Sequence, residues 1–98
     1  MLDLAIGEHG QILLSGRLDT AQCAKAQTFL DNVDTLEVLD FAGLEYISSA
    51  GLGVLLIVQK RAMQGGSGLT IININNHIYD IFRFSGFDKI FKIQRSEA

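Results

Sequence analysis

The chain has 98 residues, of which 48% are hydrophobic, and a formal net charge of −3 at pH 7. This length predicts one small domain, residues 1–98, and this apolar content excludes a disordered chain. The acidic balance argues against a nucleic-acid partner. A lone cysteine, Cys23, excludes an internal disulfide and favours a reducing compartment. We therefore expect a soluble cytoplasmic domain without a signal peptide or membrane insertion.

The first part of the chain predicts a β-hairpin followed by a helix. Residues 1–6 alternate as in a half-buried strand, and residues 11–15 predict a second strand after a glycine-bearing turn. The short turn makes this pair antiparallel. The next segment predicts a helix capped by Asp19 or Thr20, with Cys23 on its apolar stripe. No cation is evident near Cys23 to lower its pKa, so a packed thiol is favoured over a reactive one.

The centre of the chain predicts a buried strand, a loop and a long helix. Residues 36–39 form a short apolar run bounded by acids, and residues 41–47 predict an apolar loop. A helix is expected from about Ser49 to Gln64, with a serine as its N-cap.

This long helix is apolar on nearly all sides. Its predicted core stripe consists of Leu52, Leu55, Leu56, Ala62 and Met63. Gln59 falls inside that stripe, and the pattern gives no reason for a polar residue there. The other side carries Val54, Ile57 and Val58, some of which we expect to remain exposed in a docking patch. The alternative is that a neighbouring helix covers them.

The last third of the chain predicts another strand, at residues 69–73, and a short helix, at residues 78–84, capped by Asn75 or Asn76. A final short strand or helical segment follows, and residues 94–98 are expected to form a frayed tail.

The order of these elements predicts the fold class. From residue 11 onward strands and helices alternate, which requires crossover connections and a mostly parallel sheet. We expect an α/β domain with a four- to five-stranded mixed sheet, an antiparallel opening strand and helices packed against it. The predicted core is Leu13, Leu39, Leu52, Leu55, Leu56, Ile71, Phe82 and Phe91.

The residues that carry chemistry form no catalytic motif. A nucleophilic serine needs a base beside it, but His9 and His77 have no local signature. Asp19 and Asp40 are expected near each other at strand ends, which is an ordinary arrangement for acidic residues. The glycines near residue 52 are not followed by the rest of a dinucleotide fingerprint. The sequence predicts no catalytic residue, no metal and no cofactor.

Two adjacent hydroxyls, Ser48 and Ser49, precede the long helix. Serine is a preferred N-cap because its oxygen accepts a hydrogen bond from an orphan N–H group of the first turn. A phosphate at this position would meet the same free N–H groups and the positive end of the helix dipole. The residues alone favour the capping role.

Residues 46–56, Tyr-Ile-Ser-Ser-Ala-Gly-Leu-Gly-Val-Leu-Leu, resemble the signature of STAS domains, the family of bacterial anti-sigma factor antagonists. Residues 16–19 resemble that family's first turn, and residues 85–93 its closing segment. The resemblance implies that Ser49 is a phosphorylation site for a partner anti-sigma factor with serine kinase activity, which the unphosphorylated protein binds. Many members have Asp before the acceptor, where this chain has Ser48, so Ser48 is the alternative acceptor.

The resemblance also implies a partner surface around the acceptor, in a setting made acidic by Asp19, Asp40 and Glu45. The residues of this surface are Asp19, Ser48, Ser49, Gly51, Gly53, Val54 and Ile57. An alternative within the family is a scaffold subunit of a lipid-transporting ABC system, whose helix-start hydroxyl need not be phosphorylated. A hydrolase is a third candidate with little support.

Overall fold

A computed structural model of the chain describes residues 1–95, which form five strands and three α-helices. In chain order they are β1 (Leu2–Ile6), β2 (Ile12–Leu18), α1 (Cys23–Asp31), β3 (Val38–Ile47), α2 (Ser49–Gly65), β4 (Thr70–Ile74), α3 (Asn76–Ser85) and β5 (Lys92–Arg95). Short 3₁₀ turns, Thr20–Gln22 and Phe87–Lys89, follow β2 and α3. In this described part no helix is long and apolar enough to cross a membrane.

The five strands form one sheet in the order β1-β2-β3-β4-β5. β1 and β2 are antiparallel, and every other neighbouring pair is parallel. Parallel neighbours need crossover connections, which α1, α2 and α3 supply. The predicted mixed sheet with an antiparallel opening strand is therefore confirmed, and β3 lies at its centre.

Within residues 1–95, the helices cover only one face of this sheet. One core cluster joins strand residues to buried residues of all three helices. Leu13 lies between the buried residues Ile12 and Leu14, so it points to the uncovered face and is 38% exposed. The prediction that Leu13 belongs to the core is therefore wrong. The other predicted core residues are buried, except that Leu56 is half-buried.

β3 is ten residues long and includes residues 41–47, so the predicted loop is wrong. Leu13 of β2 pairs with Asp40, whereas Ser15 pairs with Gly43, so β3 uses three residues where β2 uses two. A second register shift follows further along the same pair. These bulges break the period-two alternation of buried residues, which is why the pattern did not indicate a strand.

The helix α2 buries a broader face than predicted. Val54 and Val58 are buried because α1 packs beside them, and Arg61 on the same side donates a hydrogen bond to the Leu30 carbonyl of α1 at 2.6 Å. Exposure on this side is therefore limited to Ile57, which is 59% exposed. Met63 was predicted in the core but is exposed. The buried residues of α2 are 51, 52, 54, 55, 58 and 59, so the buried face is rotated by about one residue from the predicted stripe, away from Met63.

The structure explains the polar Gln59 within this buried face. Gln59 is 3% exposed, and its Nε2 donates a hydrogen bond to the Ile90 carbonyl at 2.7 Å. Its Oε1 accepts a hydrogen bond from the Leu69 N–H, also at 2.7 Å. Leu69 precedes β4 and Ile90 precedes β5. One satisfied amide therefore joins α2 to the chain just before two strands.

The end of the described chain is more ordered than predicted. α3 begins after Asn75, whose side chain accepts a hydrogen bond from Ile78 N–H, and ends at Gly86 in the left-handed conformation, φ 80°. Gln94 and Arg95 belong to β5, so the expected fraying is wrong for these two residues. The rest of the predicted tail, residues 96–98, lies outside the described residues.

Replacing Gln59 by Leu should destabilise the domain. The change leaves the Leu69 N–H and the Ile90 carbonyl without their partner. Each of these groups that water does not reach should lower the free energy of unfolding by about 1–3 kcal/mol. Urea denaturation measures the free energy of unfolding. The matched control is Gln64→Leu on the exposed part of the same helix, where we expect a change within about 0.5 kcal/mol. Equal midpoints for the two variants would contradict the role assigned to Gln59.

Candidate functional site

The two adjacent serines lie where β3 ends and α2 begins. Ser48 is the N-cap of α2 and Ser49 is its first residue. The end of β2 lies alongside, because Leu18 pairs with Ile47 and the Ser48 N–H donates to the Leu18 carbonyl at 3.0 Å. The start of α2 is thus attached to two neighbouring strands.

The two hydroxyls have different environments. Ser48 Oγ accepts a hydrogen bond from the Gly51 N–H at 3.1 Å, and the residue is half-buried. Ser49 is exposed. Ser48 therefore performs the capping, and the Ser49 hydroxyl lies at the surface at the positive end of the helix dipole. The sequence pattern allowed either serine to be the cap, and the structure assigns the cap to Ser48.

Gly51 lies inside the contact between α2 and the sheet. A Cβ atom added there would be 2.7 Å from the Leu18 carbonyl oxygen and 2.9 Å from Cγ1 of Ile47. Since Cβ atoms do not approach backbone oxygens this closely, a side chain at Gly51 would displace the start of α2. Gly51 is also buried, so it faces Leu18 rather than a partner.

The outward side of α2 presents a continuous line of exposed or half-exposed residues, which we call the α2 strip. It consists of Ser49, Gly53, Ile57 and Lys60. Residues three and four apart lie on one helix face, so these four share a surface. A Cβ added at Gly53 would have no atom within 4 Å, which leaves bare backbone at the surface there. Val54 was predicted in this surface but is buried, because it faces α1.

Two charged side chains, Arg17 and Asp19, lie at the end of β2, which pairs with the end of β3 from which α2 begins. Arg17 Nε is 4.0 Å from Oδ2 of Asp19, and the Arg17 guanidinium lies 4.3 Å from the centre of the Tyr46 ring. Asp19 Oδ1 is buried and has no hydrogen-bond partner among residues 1–95. The sequence patterns did not single out Arg17, since its role depends on the pairing of β2 with the far end of β3.

Asp40 does not belong to this site. It pairs with Leu13, five residues before the end of β2, which places it about 16 Å from that end at the usual strand rise. Its Oδ1 accepts hydrogen bonds from the Ala42 N–H at 2.9 Å and the Asn73 side chain at 3.1 Å. The expected proximity of Asp19 and Asp40 is wrong, because β3 continues as a strand well beyond Asp40.

Cys23 begins α1, four residues after Asp19. Its Sγ donates a hydrogen bond to the Asp19 carbonyl at 3.3 Å. Burial, and then the negative charge of Asp19, raise the pKa of the Cys23 thiol. The thiol therefore stays protonated at neutral pH and is a weak nucleophile. Within residues 1–95, no three His, Cys, Asp or Glu side chains are grouped as metal ligands.

Comparison with protein families identifies the class to which this fold and site belong. The family model described as "Mlab, STAS domain" matches residues 4–94, which is nearly the whole chain. The chain therefore belongs to the STAS domain family. It is similar to BtrV of Bordetella bronchiseptica, named as an anti-sigma factor antagonist, with 34% identity over 87 residues that cover 85% of this chain and 75% of that protein.

Solved structures share the fold. A Thermotoga maritima protein described as an anti-sigma factor antagonist matches with a TM-score of 0.76 and 18% identity, over 95% of this chain and 85% of that one. The Bacillus cell fate determinant SpoIIAA, solved in its phosphorylated form, matches with a TM-score of 0.69 and 16% identity, over 99% and 92% of the two chains. The five-stranded mixed sheet with its helices is thus the STAS fold.

Substitution of each serine by Ala should show which hydroxyl caps the helix and which makes no stabilising contact. Ser48→Ala removes the bond to the Gly51 N–H and should lower the free energy of unfolding by about 0.5–2 kcal/mol. Ser49→Ala removes only an exposed hydroxyl and should change it by less than about 0.5 kcal/mol. Thermal denaturation of both variants measures the difference. A larger loss for Ser49→Ala would show that the cap is assigned to the wrong serine.

Proposed function

We propose that this protein is an anti-sigma factor antagonist that binds an anti-sigma factor when Ser49 is unmodified and releases it when Ser49 is phosphorylated. The observation that carries the proposal is the exposed Ser49 hydroxyl at the first position of α2, next to a capping Ser48 that is already hydrogen-bonded. The proposed partner is a cytoplasmic anti-sigma factor with serine kinase activity. The chain acts as a binding protein rather than an enzyme and uses no cofactor.

The helix start suits a reversible phosphate. A phosphoserine carries roughly −1.5 to −2 charges at neutral pH, and such a charge is stabilised by the dipole and the free N–H groups of a first turn. Ser49 makes no part of the cap, so its modification leaves the Ser48–Gly51 bond in place. The phosphorylated domain should therefore keep its fold.

The α2 strip supplies the surface that a partner would bind. Ile57 is an exposed apolar side chain two turns beyond Ser49, and Gly53 between them lets a partner approach the helix backbone closely. Apolar anchors of this kind carry much of the binding energy in small interfaces. The strip is thus a narrower surface than the sequence predicted, without Val54.

A phosphate in this surface would oppose binding directly. An interface that accepts a neutral Ser49 hydroxyl would have to bury a dianion without a matching charge, which is costly. Asp19 directly follows β2 and Glu45 lies on β3, so two carboxylates lie on the segments that lead to this helix start, although Arg17 partly balances Asp19 at 4.0 Å. Release of the partner therefore requires no conformational change in this domain.

The relatives support the proposal without deciding it. BtrV is named as an anti-sigma factor antagonist, and SpoIIAA has been solved in a phosphorylated form. The role of the unphosphorylated state and the serine kinase activity of the partner are our inference for this chain.

Variants of the serines test the switch. Ser49→Asp should weaken binding to the cognate anti-sigma factor, because it places a charge where the hydroxyl lies. Ser49→Ala should bind constitutively and resist phosphorylation, whereas Ser48→Ala should still be phosphorylated. The experiment incubates each variant with the candidate kinase and ATP, maps phosphate by mass spectrometry, and measures affinity by calorimetry.

The same experiment discriminates the alternatives. Phosphate on Ser48 alone would move the acceptor by one residue. No phosphate on either serine, with a cognate kinase shown to be active, would refute the switch and favour the scaffold of a lipid-transporting ABC system.

Truncation of Ile57 to Ala tests the binding surface. We expect the dissociation constant for the unphosphorylated domain to rise about tenfold, as for an anchor worth more than 1 kcal/mol. The matched control is Leu13→Ala, which removes a partly exposed leucine from the uncovered sheet face. Equal affinities for Ile57→Ala and the unmodified protein would place the partner surface away from the α2 strip.

A further inference from the structure

We propose that the free edge of β1 is a self-association surface, on which β1 of a second copy pairs antiparallel and extends the sheet across both molecules. This inference does not depend on the proposed switch, since β1 lies two strands away from β3 and its Ser49 site.

The backbone of β1 shows which groups are available at this edge. The Arg17 N–H donates to the Met1 carbonyl at 2.9 Å, and the Gly7 N–H donates to the Gln11 carbonyl at 2.7 Å. Because inward and outward groups alternate along an antiparallel strand, the N–H and C=O groups of Leu2, Leu4 and Ile6 point away from β2. Among residues 1–95 no strand lies on that side.

An apolar groove runs along this edge, between β1 and α1. It has a volume of about 700 Å³, and its apolar lining includes Leu4, Ile6, Phe29 and Val33, while Asp3, Lys25, Thr28 and Asn32 also line it. Ile6 is 62% exposed, which is unusual for an isoleucine beside a core. A strand added to β1 would direct its alternate side chains into this groove, so backbone pairing and apolar burial would occur together.

The residue pattern fits a second copy of the same strand. A two-fold axis at Leu4 places Leu4 opposite Leu4 of the second copy, and Leu2 opposite Ile6 of the second copy. All outward backbone groups then pair, and Leu4 and Ile6 of each copy lie against the adjoining grooves, while Leu2 stays buried in its own core. On the uncovered face Asp3 lies opposite Ala5 of the second copy, so no like charges are directly opposed. This self-complementarity is what a two-fold interface requires.

Charges at the ends of the strand complement each other in the same arrangement. In the monomer the Lys25 ammonium donates a hydrogen bond to the outward Leu2 carbonyl. In the paired form the Ile6 N–H of the second copy replaces it at that carbonyl. The antiparallel direction brings Glu8 of the second copy to the same end, where it can receive the released Lys25. In the monomer Lys25 thus occupies a carbonyl that strand pairing would need, and in the dimer it forms an ion pair with Glu8 of the second copy.

Two measurements on the full chain test this assignment. Sedimentation equilibrium over a wide concentration range should show a transition from the 10.7 kDa monomer to twice that mass. Hydrogen exchange resolved by residue should show that the amides of Leu4 and Ile6 become protected with rising concentration. The inward amides of Asp3 and Ala5 should be protected throughout, which provides an internal control.

Three variants make the test specific. Ile6→Lys places a charge in the groove and should weaken dimerisation by about tenfold or more, while Ile57→Lys on the α2 strip should not. Both residues are exposed, so both variants should keep the melting temperature of the parent. Lys25→Glu should weaken dimerisation, and adding Glu8→Lys should restore it.

A monomer at every concentration would overturn the proposal. A dimer that survives Ile6→Lys, or one that leaves Leu4 and Ile6 amides unprotected, would place self-association on another surface and also overturn it. Neither result would bear on phosphorylation or partner binding at Ser49.

Discussion

The close approach of α2 to the end of β2 is the constraint on which the site depends. Gly51 permits this approach because any Cβ there would meet the Leu18 carbonyl oxygen at 2.7 Å. The Ser48 N–H completes the contact by donating to the same carbonyl. With α2 held in this position, the first helical residue, Ser49, is directed to solvent while the side chain before it turns inward to cap. The exposed Ser49 hydroxyl, the proposed acceptor, is therefore positioned by regular secondary structure rather than by a loop.

Because the helices pack on one face of the sheet, α2 contacts several other elements of the fold. It crosses between β3 and β4, packs against α1, and carries the buried amide of Gln59 that reaches the chain before β4 and β5. These contacts leave only a narrow part of the α2 surface exposed, which is the α2 strip. The apolar residues Val54 and Val58 lie outside this strip and are buried, so they contribute to stability, and the proposed partner surface is correspondingly narrow.

The sequence predicted the parts of the fold that depend on local pattern. The antiparallel opening pair, the alternation of strands and helices, and an asparagine cap of α3 at Asn75 or Asn76 all follow from periodicity and capping chemistry. It did not predict the length of β3, because two bulges there destroy the alternation on which strand assignment rests. It also assigned Leu13 to the core, since an apolar run in β2 does not show which face is covered.

The candidate site was predictable in location but not in detail. A serine pair before a helix indicates a cap and a surface hydroxyl, but either serine satisfies the pattern. Only the bond from the Gly51 N–H to Ser48 Oγ assigns the two roles. Arg17 and Asp40 illustrate the remaining gap, because their distances from Ser49 depend on the register between β2 and β3. Register across a parallel pair is set by packing over long sequence separations, which a single sequence does not display.

The uncharged Ser48 cap affects the electrostatics of the proposed switch. Many STAS domains that resemble this chain have Asp before the acceptor, whereas this chain has Ser48. An Asp cap would place a negative charge at the helix start and so compensate part of the dipole before any modification. A neutral Ser48 leaves that positive end uncompensated, so a phosphate on Ser49 gains more from the dipole and meets less local repulsion. Under the proposed switch, this departure from the family pattern would favour the phosphorylated state of the domain, while a partner would still meet the full charge added by the phosphate.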